Sequence, residues 1–195
     1  LLWILDGSGM NLARRLAPIL KQAKSDILGK ITTYGIVSYN VIGSQIDISP
    51  SASQTTIRFD NSPNVANFTA EFDILQNMTG GMNTTFVYRT TKWNVQGIAY
   101  GIGISGSNFI FGKQDNRGGT SAPWYDLGGG SHGITYGNWA HFKLVINGTN
   151  HKVYVNDVLK FDVNDVSFTS AGQFGVNCYQ TGATRSLKNI VINPL

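Results

Sequence analysis

Asn138–Val163, NWAHFKLVINGTNHKVYVNDVLKFDV, reads as three successive strands joined by two tight turns. Phe142, Leu144 and Ile146 alternate with polar or outward-facing neighbours. Val153 and Val155 repeat the period after the first turn, and Leu159 and Phe161 after the second. A period of two puts each apolar set on one face, so each strand is expected to bury one side. Asn147-Gly148 and Asn156-Asp157 supply the turns, because Asn, Asp and Gly tolerate the positive φ of a two-residue hairpin loop. The expected unit is an antiparallel meander.

The same pattern extends upstream. From Ser44 the sequence offers QIDIS, TTIRF, FTAEFDILQ, TTFVYRT, QGIAYGIGI and NFIFGKQ as further strands. Together with the meander and the closing segment, roughly a dozen strands suit two antiparallel sheets packed face to face. Gly97, Gly101 and Gly103 within one strand pattern suggest bulges or the close approach of another group. Lys113–Asn138 is the longest turn-rich stretch and is expected to be a functional loop.

Composition agrees. The chain has 195 residues, 23 of them Gly, and only 13% are charged, which suits many short strands with polar outer faces. The net charge of +4 comes from scattered residues. Arg14, Arg15, Lys21, Lys24 and Lys30 gather near the N-terminus, and they read as a solvated face, not a nucleic-acid footprint. Cys178 is the single cysteine, so no intrachain disulfide forms; its place in the alternating QFGVNCY marks it as a small core residue. LLWIL at the start is too short to span a membrane. The chain lacks an initiator Met and is expected to be a piece of a larger protein.

Trp139 opening a strand, then HFKLVING, KVYVNDVLKFDV, a strand over Gly172–Val176 and the closing SLKNIVINPL resemble the concanavalin A/laminin G-like jelly-roll superfamily. The resemblance is clearest over residues 138–195, extends from about Ser44, and leaves out the first forty residues. It implies a jelly-roll sandwich and glycan-related work as a lectin, carbohydrate-binding module, adhesive module or glycosidase. It also implies a packed aromatic at Trp139.

Glu71 and Asp73 alternate onto one strand face and resemble the Glu-x-Asp-x-x-Glu strand of jelly-roll endoglucanases. That resemblance makes Glu71 a nucleophile and Asp73 its assistant, but the acid/base position falls on Gln76, which cannot transfer a proton. A retaining glycosidase needs both carboxyl groups. The alternative is that both acids face solvent on the outer side of the sheet. His132, His141 and His151 lack metal-site spacing and read as surface or turn residues.

Sugars present flat apolar faces with polar rims, so binding calls for exposed aromatics flanked by hydrogen-bonding side chains. Trp124 and Tyr125 with Arg117 and Asp126, and Trp93 with Asn94, are the candidate glycan ligands; the alternative for the two tryptophans is that they cap the core. Calcium is the superfamily's usual companion, and Asp115, Asn116 and Asp126 are its candidate oxygen ligands.

Residues 1–43 are expected to form a connector or oligomerisation stalk. A helix capped by Asn11 runs to Gly29 with a stripe of Leu12, Leu16, Ile19, Ala23 and Ile27, and Pro18 starts or kinks it. The stripe packs on the protein's own or a neighbouring domain, or on sister chains of a dimer or homotrimer. Residues 44–195 form the sandwich. The expected whole is an all-β, two-sheet antiparallel jelly roll preceded by a short N-terminal α-helix. Its expected role is a non-catalytic, extracellular glycan-binding module. The arrangement resembles receptor-binding modules of bacteriophage tails and baseplates, which implies a virion setting with neighbouring tail proteins as partners. A jelly-roll glycosidase and a purely structural virion component are the alternatives.

Overall fold

Alternation of side chains across the pleat governs almost every segment from Ile31 onward. A computed structural model describes residues 26–51, 54–75, 77, 83–93, 97–106, 108–115, 124–131, 133–179 and 181–195. In chain order the strands are β1 (Ile31–Tyr34), β2 (Val37–Ile42), β3 (Gln45–Pro50), β4 (Gln54–Phe59), β5 (Phe68–Leu75), β6 (Asn83–Lys92) and β7 (Ile98–Ser105). They continue with β8 (Asn108–Gln114), β9 (Trp124–Ser131), β10 (Trp139–Asn147), β11 (Asn150–Val155), β12 (Val158–Asn164), β13 (Gln173–Tyr179) and β14 (Arg185–Pro194). They make two seven-stranded antiparallel sheets, one in the order β1-β4-β13-β6-β7-β8-β9 and the other β12-β11-β10-β5-β14-β3-β2.

The meander forms as β10–β11–β12, with two adjustments. Asn147 pairs with Asn150, so the first turn is Gly148–Thr149, one residue later than expected, with Gly148 at φ 57. Asn156 and Asp157 make the second turn, both at positive φ as a type I′ loop requires. A bulge between Leu159 and Phe161 then breaks the period: Val153 faces Phe161 while Tyr154 faces Leu159. Leu159 is therefore exposed, contrary to the simple alternation, while Phe161 and Val163 pack on the core.

Three further expectations change. Sheet structure starts before Ser44: β1 is half-buried at one sheet edge, and β2, whose Val37, Tyr39 and Val41 alternate, is largely exposed at the edge of the other. Part of the supposed loop from Lys113 to Asn138 is a strand, β9, paired along β8 at the sheet edge. Of the expected N-terminal helix, only its end is described, as a 3-10 turn at Asp26–Leu28, and the rest lies outside the described residues.

The core lies between the sheets. Stacked and edge-on rings link them, Phe72 to Phe86 (4.1 Å) and Phe68 to Phe174 (4.7 Å), and Phe142 stacks on Phe72 within the second sheet (5.5 Å). Cys178 is buried among these residues, and burial raises its thiol pKa to about 12. One end of the core is polar. A bulge in β6 puts Arg89 at φ 51 and turns it inward, where it donates to the carbonyls of Ala66, Phe168 and Gly148 at 2.7–2.9 Å. Lys113 and Asp165 pair at 2.6 Å, and Asp165 also accepts from Tyr100. His151, expected in a surface turn, is fully buried against Tyr88, Tyr100 and Phe111. Burial lowers its pKa to about 4 and raises that of Tyr88, so a neutral imidazole and a neutral phenol share a hydrogen bond between Nδ1 and the Tyr88 hydroxyl at 2.8 Å.

Candidate functional site

The outward face of the first sheet is built in transverse rows fixed by strand register. One row runs Thr32, Arg58, Gly175, Val87, Gly101, Gly112, Asp126 from β1 to β9. The next runs Tyr34, Thr56, Asn177, Thr85, Gly103, Ile110, Gly129. The sheet curls toward this face. Asn177 of β13 donates to Gln114 of β8 at 3.4 Å although three strand spacings, about 14 Å, separate those strands in a flat sheet. A Cβ on Gly103 would lie 1.8 Å from the Thr84 carbonyl oxygen, so only glycine fits where β6 leans over β7. Thr56, Thr85, Val87, Ala99 and Gln114 are buried here although they point away from the sandwich core.

Two indoles lie over the glycines of the first row. Trp124 covers the paired Gly101 and Gly112; added Cβ atoms there would come 3.1 Å from its Cη2 and 2.6 Å from its Cε2 and Cζ2. Its Nε1–H donates to Asp126 Oδ1 at 2.6 Å, which fixes the ring's orientation. The indole remains 36% exposed. Beside it a shallow pocket of about 410 Å³ is lined by Ile110, Asp126 and the glycine strand 128–130. Trp93, just past β6, covers Gly175, stacks on Tyr34 at 6.2 Å and lies 5.9 Å from the Arg58 guanidinium.

Register sorts the expected ligand-binding residues. Trp124 and Asp126 share the curled face. Tyr125 alternates to the opposite side, at the position paired with Lys113, and is exposed at the sheet edge. Trp93 lies on the curled face several strands away. Asn94, Arg117 and Asn116 lie outside the described residues, as do Gln76 and His132. Among the described residues no three His, Cys, Asp or Glu side chains meet as a metal site. Of the candidate calcium ligands Asp115, Asn116 and Asp126, Asp126 accepts the Trp124 N–H on Oδ1.

The carboxylates suggested for hydrolysis lie in the other layer, on the outer face of the second sheet. Glu71 is 3.5 Å from Lys143, and Asp73 accepts from His141 Nδ1 at 2.8 Å and Asn189 Nδ2 at 2.7 Å. Trp139, expected to pack in the core, also points outward there, because Ala140, Phe142, Leu144 and Ile146 hold the inward phase of β10; Lys188 Nζ lies 3.9 Å from its ring centre. Sequence reasoning did not single out Arg58, Thr56, Asn177 and Gly112. They act through register, which the linear sequence does not display, and only the glycine spacing at Gly101 and Gly103 signalled a close approach.

No protein-family model matches the chain, and no curated protein matches it. Solved structures do. The carbohydrate-binding module CBM66 from Bacillus subtilis superposes with a TM-score of 0.66 at 23% identity, covering 84% of this chain and 94% of that one. The likeness is one of fold. The receptor-binding domain of a botulinum neurotoxin C/D mosaic matches at a TM-score of 0.51 and 17% identity, and a sialidase at 0.56 and 10%. The chain spans only 43% and 17% of those two proteins.

Proposed function

We propose that this chain is a non-catalytic carbohydrate-binding module whose glycan rests on Trp124 at the curled face of the first sheet. One observation carries the reading: a partly exposed indole packed against a glycine pair, held at its edge by Asp126, which also lines the shallow pocket beside it. An apolar sugar face stacks on such a ring while its hydroxyls reach the Asp126 carboxylate and the backbone of β9. The fold shared with a carbohydrate-binding module supports the same reading.

Binding without turnover follows from the placement of the acids. Glu71 and Asp73 face away from Trp124 on the other sheet, both engaged by neighbours, and the third position of that motif is Gln76. The module's setting is an extracellular surface or phage-tail assembly that it attaches to a glycan, with the segment before β1 as the connector. A screen of glycan arrays and cell-wall polysaccharides tests the reading, run with and without chelator on the intact chain and on Trp124→Ala. Binding that disappears in the variant and ignores chelator is expected. Glycan hydrolysis abolished by Glu71→Gln would replace the reading with an enzyme.

A further inference from the structure

Three polar atoms on the curled face have no hydrogen-bond partner although they are buried: Thr56 Oγ1, Asn177 Oδ1 and Trp93 Nε1. Buried polar groups are normally satisfied, so three such orphans in one place call for an explanation. They are neighbours by construction. Thr56 and Asn177 are opposed across β4 and β13, and Gly175, two residues before Asn177 on the same face, carries the Trp93 indole. Thr56 and Asn177 offer oxygens, while the indole nitrogen offers a proton. The three atoms are themselves covered, but Asn177, Trp93 and Arg58 are partly exposed, so the cluster lies just beneath the surface and small side-chain shifts open it to a ligand.

We propose that Trp93, Asn177 and Thr56 form a second glycan subsite, so that the module takes an oligosaccharide laid across the sheet from Trp124 to Trp93. This rests on the preceding reading of Trp124 and names the ligand class: a chain of several sugar units, not a single terminal sugar. Trp124 covers strands β7 and β8 and Trp93 covers β13, so the two rings are two to three strand spacings apart, about 10–14 Å along the sheet and less across its curled face. Sugar hydroxyls satisfy the three orphaned atoms. The Asn177 to Gln114 hydrogen bond that crosses the groove is at the long, weak end of the range, so a ligand hydroxyl replaces it readily.

The test uses Thr56→Val, which keeps shape and removes only the orphaned hydroxyl, and Trp93→Phe, which removes the indole N–H together with part of the ring surface over Gly175 and Tyr34. Affinity is measured by calorimetry for ladders of β-glucan, xylan, mannan and N-acetylglucosamine, from monosaccharide to hexasaccharide. Affinity of the unmodified chain rises with length. Each variant loses about two- to tenfold on the longer oligosaccharides and keeps its monosaccharide affinity; Thr56→Val also retains or raises its melting temperature, since an unpaired buried group has been removed, whereas Trp93→Phe loses some stability with the indole's packing. A structural role alone would lower the melting temperature of Thr56→Val instead. Affinity independent of length, or unchanged in both variants while Trp124→Ala abolishes binding, overturns the second subsite and leaves the first. Loss of neither, or no binding by the unmodified chain, overturns both.

Discussion

Replacing Gly112 by alanine tests the glycine floor directly. A methyl there would stand 2.5 Å from the Tyr125 carbonyl oxygen and 2.6 Å from Cε2 and Cζ2 of Trp124. The carbonyl belongs to the β8–β9 ladder and cannot move far, so the indole must lift off the sheet. Overpacking of this kind costs about 1–3 kcal/mol. At about 2–4 °C per kcal/mol for a domain of this size, the melting temperature should fall by roughly 2–12 °C. Near-UV circular dichroism should lose Trp124's contribution, and glycan binding should fall with it. Gly101→Ala provides an internal comparison. Its methyl would meet Thr85 Cγ2 at 2.4 Å, but Trp124 only at 3.1 and 3.3 Å. Removing the Thr85 methyl with Thr85→Ser should make the double variant milder than Gly112→Ala. An alanine at 112 that leaves melting temperature, near-UV spectrum and binding unchanged would refute the packing of Trp124 on this floor.

Acid should destabilise the fold in two stages. Burial lowers the His151 pKa to about 4, against roughly 6.5 unfolded. The unfolded chain therefore takes the proton first, and stability of order 3 kcal/mol, complete above about pH 6.5, is lost as the pH falls toward 4. Burial raises the Asp165 pKa, but hydrogen bonds from Lys113, Tyr100 and Ser167 outweigh it and hold the carboxyl well below its usual range, so a further loss follows below about pH 4. Urea titrations across this range should show both, and His151→Gln should flatten only the upper stage. Arg89→Met removes the donors to the carbonyls of Ala66, Phe168 and Gly148, of which that of Phe168 is buried, and should cost at least about 1–3 kcal/mol by urea unfolding, the cost of one buried orphan. Cys178, buried with its thiol pKa near 12, should resist thiol reagents in the native chain and react at once in urea.

The meander was legible because alternation and turn chemistry are both local. Phe142, Leu144 and Ile146 fall on the buried face by period alone, and Asn156-Asp157 can hardly be anything but a tight turn. Legibility failed where register or tertiary packing decides. The bulge that exposes Leu159 leaves no local mark. The short edge strands β1 and β2 look like connector, and β9 is masked by its run of glycines. His151 reads as a turn residue until β11 is seen to pass between Tyr88, Tyr100 and Phe111. The candidate site was half visible. Trp124, Asp126 and Trp93 stand out by residue type, and Gly101 by its spacing, but Thr56, Arg58, Asn177 and Gly112 join them only through strand order. The pairing of Trp124 with Tyr125 suggested by adjacency is undone by the pleat.

The central claim is that the glycan sits on the curled face of the first sheet, and two tryptophans on opposite layers separate the possibilities. Polysaccharide retention of the intact chain should be compared with that of Trp124→Ala and Trp139→Ala, each checked for folding by circular dichroism. The account predicts that Trp124→Ala loses binding, by at least about 2 kcal/mol or some thirtyfold if the indole is the anchor, while Trp139→Ala retains it. Binding that survives in Trp124→Ala but is lost in Trp139→Ala would contradict the account and move the site to the face that carries Glu71 and Asp73.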